Sequence, residues 1–153
     1  MEYSIEKQEI DAQPIAYKSG AGSAEEIPTL LSEILPDVVA HVEASKAMPA
    51  GPPFTHYLSM GETIEIEAGI PLTEKIEASE VVKTGRLPGG SVLRTEHIGP
   101  FEELPNAYQA LAKYVEDNGL DAGDTMWEYY WTDPAREPDP SKWRTEIFIS
   151  LED

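Results

Sequence analysis

The chain has 153 residues, of which 29 are acidic and 11 basic, giving a net charge of −18, and it contains no cysteine. That length suits one domain or two small modules sharing a core, and burying roughly two-thirds of the unfolded surface requires no covalent staple. Disulfides, iron–sulfur clusters and thiolate zinc sites are therefore excluded, the negative field disfavours nucleic acid, and no stretch approaches the roughly 18 apolar residues of a membrane span.

In chain order, a short strand around Pro14-Ile15-Ala16-Tyr17 comes first. A helix then starts near Ser23, where Ser followed three residues on by Glu26 resembles a capping box. Ile27, Leu31, Ile34, Val38 and Val42 give it a buried stripe. Pro36 falls inside that stripe and is expected to kink or divide the helix. Two strands follow, at 54–60 and 63–70, joined tightly through Gly61. Residues 71–85 read as a charged connector able to add an edge strand.

The turn Pro88-Gly89-Gly90 opens a β-branched run at 91–98, which Gly99-Pro100 ends while starting a second helix. Phe101, Leu104, Tyr108, Leu111 and Val115 form one apolar face, and Asn118-Gly119 suits a left-handed C-terminal cap. The last strands are expected at 125–132 and 143–151, connected by the loop 133–140.

These elements repeat. Gly22-Ser23-Ala24-Glu25-Glu26-Ile27-Pro28 returns as Gly99-Pro100-Phe101-Glu102-Glu103-Leu104-Pro105, with four of the seven positions identical. The register continues through Leu31 with Tyr108, Ile34 with Leu111 and Val38 with Val115. We read the chain as an α+β domain, 1–153, made of two pseudo-repeats of strand-helix-strand-strand, at about 1–84 and 85–153. Joined side by side, the units would place both helices on one layer of an antiparallel sheet and leave a concave ligand cleft between the halves.

Alternation along the strands nominates side chains for that cleft. With Ile147, Ile149 and Leu151 packed on the helix, Glu146, Phe148 and Ser150 point away from it. Glu128 and Tyr130 share a face opposite Trp127, Tyr129 and Trp131, and Glu67 aligns with Glu146 across the repeat. Glu65 reads as a solvated carboxylate. His56 aligns loosely with Glu128, and Tyr57, Phe54 and Trp127 are further candidates to line the pocket. Rings around a carboxylate suit a lipophilic cation, because the rings offer apolar area and quadrupole attraction while the glutamate supplies the counter-charge. The histidines, His41, His56 and His97, match no zinc spacing, and His97 is placed to help satisfy the first turn of the second helix. Neither a P-loop, a dinucleotide fingerprint nor a Ser/His/Asp signal is present, so no cofactor is expected.

The residues of five stretches resemble the GyrI-like or AraC-type effector-binding family. They are Gly51 to Tyr57, Leu87 to Val92, His97 to Phe101, Trp127 to Pro134 and Trp143 to Ile147. The resemblance implies two strand-helix-strand-strand modules (the SHS2-like duplication) with a ligand cleft between them. It also implies that the glutamate of the Trp-Glu-x-Tyr strand, here Glu128, meets cationic aromatic ligands. The chain leaves no room for the DNA reader fused to such domains in regulators, so a free-standing cytoplasmic member without a membrane anchor or direct nucleic-acid contact is expected.

Three functions follow. The first is reversible binding of an aromatic or lipophilic cation, as in multidrug sensing, by Glu128, Tyr130, Glu146, Phe148, Glu67, Tyr57, Phe54, His56 and Trp127. The second is hydrolysis of strained, cyclopropane-type electrophilic toxins, with Glu128 and Glu146 as base and acid. The third is protein binding, with DNA gyrase as the partner the family's namesake suggests.

Overall fold

A computed structural model describes residues 3–133 and 136–152, with the side chains of Met60 and Asp124 excepted, so Pro134 and Ala135 of the predicted loop lie outside the described residues. The described residues form eight strands and two α-helices in an α+β arrangement, divided between two compact units. The first unit runs from Asp11 to Pro88, and the second takes the chain up to Ile10 together with everything from Gly89 onward.

In the first unit, β2 (Gln13–Gly22) leads to α1 (Ile27–Ala44), followed by β3 (Phe54–Met60), β4 (Ile64–Pro71) and β5 (Lys83–Leu87). Its sheet is antiparallel with the order β3-β4-β2-β5. The capping glutamate does what the sequence suggests. Ser23 donates to Glu26 Oε1 from its backbone N–H at 3.1 Å and from its hydroxyl at 3.0 Å. A 3-10 turn over Ala24–Glu26 intervenes before α1 begins. The helix then runs unbroken through Pro36, which lies on its exposed side, where the carbonyl freed by the missing N–H reaches water. Ile27, Ile34, Val38 and Val42 are buried against Ile64, Ile66, Ala68 and Ile70 of β4, each large side chain contributing roughly 1.5–3 kcal/mol. Gly69 is required by crowding: a Cβ there would lie 1.9 Å from the Ala16 carbonyl oxygen.

In the second unit, β6 (Gly90–Ile98) leads through a 3-10 turn at Phe101–Glu103 into α2 (Leu104–Asp117), then β7 (Asp121–Tyr130) and β8 (Arg144–Glu152). Here the sheet order is β1-β6-β8-β7, again antiparallel, where β1 is Glu6–Ile10. Gly119, at φ +60, supplies the left-handed residue after α2. Ala107 and Leu111 of α2 are buried with Leu93 and Ile147, while Leu104, Tyr108 and Val115 pack alongside. Strand β7 begins four residues before the predicted start and bulges between Ala122 and Met126, with the Ser150 hydroxyl donating to the Thr125 carbonyl at 3.1 Å.

Strand β1 has no counterpart in the sequence reading. Its Glu-Lys-Gln-Glu-Ile pattern is too polar to announce a strand, because an edge strand needs only backbone pairing and one half-covered face. The connector does supply an edge strand, β5. In the chain β1 immediately precedes β2 and β5 precedes β6, yet β1 pairs with β6 and β5 with β2.

Candidate functional site

Residues directly opposed across an antiparallel ladder share a face. In the second unit Glu128 opposes Ile147, which belongs to the core beneath α2, and Tyr130 opposes Thr145. Glu128 and Tyr130 therefore lie on the α2 side of the sheet. Trp127 opposes Phe148 and Tyr129 opposes Glu146, so these four lie on the other side. The expectation that Glu128 and Glu146 face one common concavity is thereby corrected: an odd spacing across the paired strands puts them on opposite faces.

The α2 side holds a buried polar row. Across β6, β8 and β7 it runs His97, Thr145, Tyr130, with Thr95, Ile147 and Glu128 in the next row. Thr95, His97 and Thr145 are fully buried and Glu128 is 1% exposed. Tyr130 donates its hydroxyl to Glu128 Oε1 at 3.4 Å. From α2, Tyr108 brings its phenol to the same carboxylate. Burial first, and then the charge of Glu128, hold that phenol well above its ordinary ionisation range, so it stays protonated. At the row's other end the His97 imidazole bonds the Pro100 carbonyl through Nε2 at 3.1 Å and the Tyr3 hydroxyl through Nδ1 at 2.9 Å. A carbonyl only accepts, so Nε2 carries a proton toward Pro100. His97 thus serves the carbonyl before the turn rather than its N–H groups. Phe101 packs on Tyr130 and on Trp143, with centroids 5.8 and 4.8 Å apart.

The opposite side of this sheet carries a paired ionic network. Arg94 donates to Glu146 at 2.5 Å and to Glu96 at 2.7 Å, and Arg144 donates to Glu96 from Nε at 2.9 Å and also from Nη2. The indole of Trp131 donates to Glu146 at 3.2 Å, beneath the Arg144 guanidinium. Hydrogen bonding from Arg144 holds the Glu96 carboxyl below its ordinary range; burial opposes this, and Arg94 adds to it. Burial pulls Arg94 down, but Glu146 and Glu96 outweigh it and raise the guanidinium. Trp127 stacks on Phe148 at 5.5 Å, and Tyr129, edge-on to the same ring, is pushed up to about 12 by burial and then by Glu146.

In the first unit, Tyr57 opposes Ile66 and faces α1, whereas His56 opposes Glu67 and Phe54 opposes Gly69 on the other side. His56 Nδ1 lies 3.2 Å from Glu67 Oε1, and Tyr17 is raised by burial and by Glu67. If Glu67 corresponds to Glu146, the ladder makes His56 the counterpart of Tyr129 and Thr55 that of Glu128, one residue away from the loose alignment expected. Thr145, Tyr108 and Tyr3 are missing from the sequence-based candidate set. Thr145 was legible from its spacing to Ile147, but Tyr108 needed the docking of α2, and Tyr3 needed β1. No group of three or more metal-ligating side chains occurs among the described residues. Nor is any helix among them long and apolar enough to cross a membrane.

The model of the GyrI-like small molecule binding domain matches residues 1–152. The chain belongs to this family. Solved structures share its fold. The C-terminal domain of EcmrR is 21% identical with a TM-score of 0.84, the match covering 100% of this chain and 99% of that one. A hydrolase encoded by lin2189 from Listeria innocua is 16% identical with a TM-score of 0.72, covering 97% and 91%. SAV2435 bound to tetraphenylphosphonium is 10% identical with a TM-score of 0.67, covering 99% and 94%. No curated protein matches the chain.

Proposed function

We propose that this GyrI-like domain binds a small aromatic or lipophilic cation, with the Glu128 carboxylate as counter-charge. The observation that carries the reading is a carboxylate 1% exposed on the α2 side, with the phenols of Tyr130 and Tyr108 beside it. Taking a carboxylate out of water costs on the order of several kcal/mol, and the 3.4 Å hydrogen bond from Tyr130 offsets part of that. A cation arriving beside it offsets more, while Tyr130 and Phe101 supply ring surface. The family's small-molecule character and the tetraphenylphosphonium carried by SAV2435 support the same reading.

Thermal denaturation tests it. A ligand at about 100 times its Kd adds about 2.7 kcal/mol to a folded state that alone binds it. Lipophilic cations are expected to raise Tm, neutral isosteres are not, and Glu128→Gln is expected to erase the difference. Equal stabilisation by charged and neutral members of each pair would overturn the reading.

Hydrolysis is the second reading, favoured by the fold shared with the Listeria innocua hydrolase. Glu128 and Glu146 cannot act on one substrate from opposite faces of a sheet, so the acid beside Glu128 would be a phenol, Tyr130 or Tyr108. Turnover of a strained electrophile that disappears in Glu128→Gln but survives in Glu146→Gln would establish it.

A further inference from the structure

The groups around Glu128 do more than surround a charge. Thr145 is fully buried on the α2 side, between His97 on β6 and Tyr130 on β7, and diagonal to Glu128 across the β7–β8 ladder. Its Oγ1 is buried and meets no hydrogen-bond partner among the described residues. At the corresponding place in the first unit, between Gly20 and Tyr57, the chain has Ile66, fully buried and packed in the core beneath α1. An aliphatic side chain therefore fits this position in the fold, yet the second unit keeps a hydroxyl there. A buried hydroxyl without a partner is costly, and a site containing one rejects ligands that cannot bond to it.

We propose that the occupant of the Glu128 site is a protonated amine or amidinium, a cation carrying N–H, rather than a fully substituted cation. This rests on the counter-charge reading above and narrows it. One N–H of such a cation donates to the Glu128 carboxylate and a second to Thr145 Oγ1, while Tyr108 and Tyr130 keep their protons as donors. A quaternary ammonium or a phosphonium satisfies the charge but leaves the Thr145 hydroxyl unbonded and covers it with methyl or aryl groups. Charge complementarity and hydrogen-bond complementarity are thus separable in this row: Glu128 selects the cation, and Thr145 selects the N–H.

Calorimetric titration of the whole chain with matched probes tests this. Naphthylmethylamine, its trimethylammonium analogue and neutral naphthylmethanol share one ring system. The amine is expected to bind roughly tenfold more tightly than the trimethylammonium analogue, the discrimination typical of one buried hydrogen bond. Thr145→Val, close in shape, should bring that ratio near one without weakening the quaternary probe, and Thr145→Ser should restore the preference. Equal affinities for amine and quaternary probe, or a ratio untouched by Thr145→Val, would overturn the inference. If the two cations bind equally and Glu128→Gln weakens both, the counter-charge reading survives and only this narrowing fails. If naphthylmethanol binds as tightly as either cation, the counter-charge reading itself fails.

Discussion

Beneath α2 the second unit carries His97, Thr145 and Tyr130 in one row across its sheet; beneath α1 the first unit carries Gly20, Ile66 and Tyr57 in the same row. One row further along, the second unit has Thr95, Ile147 and Glu128 where the first has Lys18, Ala68 and Thr55. The ladder pattern is the same in the two units while the chemistry under the helix is not. In the first unit the space beside Gly20 is filled by Ile34 and Leu30, with an ideal Cβ only 3.3 Å from Ile34 Cδ1. The corresponding space in the second unit holds an imidazole bonded to Tyr3 and to the turn that opens α2. Two units with the same strand pairing can hold different side chains beneath their helices, because the strands are held by backbone pairing that ignores side-chain identity.

The largest expected effect lies in the first unit. Ile66→Ala should destabilise the protein by about 2–5 kcal/mol in denaturant unfolding, since a fully buried isoleucine leaves a cavity. Affinity for cations at Glu128 should be unchanged at temperatures where the variant remains folded. Loss of both together would mean that the two units do not divide stability and binding.

This division was only partly legible beforehand. Both helices and the four strands that follow them stand out because helical and strand periodicities are strong where one face is apolar. Ile27, Ile34, Val38 and Val42 illustrate this. Glu128 was legible as a carboxylate among rings, and its sharing of a face with Tyr130 followed from alternation. Which side of the sheet that face occupies was not legible. Alternation fixes faces within a strand, whereas pairing between β7 and β8 decides which faces coincide, and a bulge between Ala122 and Met126 sits in that very ladder. Strand β1 and the bond of Tyr3 to His97 were invisible for a similar reason: they depend on a partner 80 or more residues away.

The ionic face of the second unit provides a smaller test. Arg94→Met should cost about 1–3 kcal/mol, because hydrogen bonds to Glu146 and Glu96 are charge-assisted and partly buried. Cation affinity should shift by no more than about twofold if the two faces are independent. The same network sets a sign for acid denaturation. The Glu96 carboxyl is held low in the folded state, chiefly by Arg144, so its stabilisation is complete above the ordinary carboxylate value and is lost as pH falls below it through the lowered folded value. In Glu96→Gln, stability should fall less steeply on acidification, as read from denaturant midpoints along a pH series.

Tyr129 reports the same face from the alkaline side. Its phenol is raised to about 12, so it stays neutral in the folded state while an unfolded tyrosine ionises near its ordinary value. Its contribution to stability is present below that ordinary value and declines as pH rises toward 12. Tyrosinate absorbance should show late-titrating phenols, Tyr108 and Tyr129 among them, of which Tyr129→Phe removes one. The smallest effect belongs to the first unit's surface. Lys18→Gln breaks the 2.7 Å pair with Asp37, which is half exposed, and should change unfolding free energy by less than about 1 kcal/mol.

The central claim, that the Glu128 carboxylate is the counter-charge for a bound cation, is tested most directly by calorimetric titration of the intact chain and of Glu128→Gln with a cation and its neutral isostere. The account predicts that the unaltered chain prefers the cation by at least about tenfold and that Glu128→Gln removes the preference while still binding the neutral isostere. A preference that persists in Glu128→Gln, or that never appears in the unaltered chain, would contradict it.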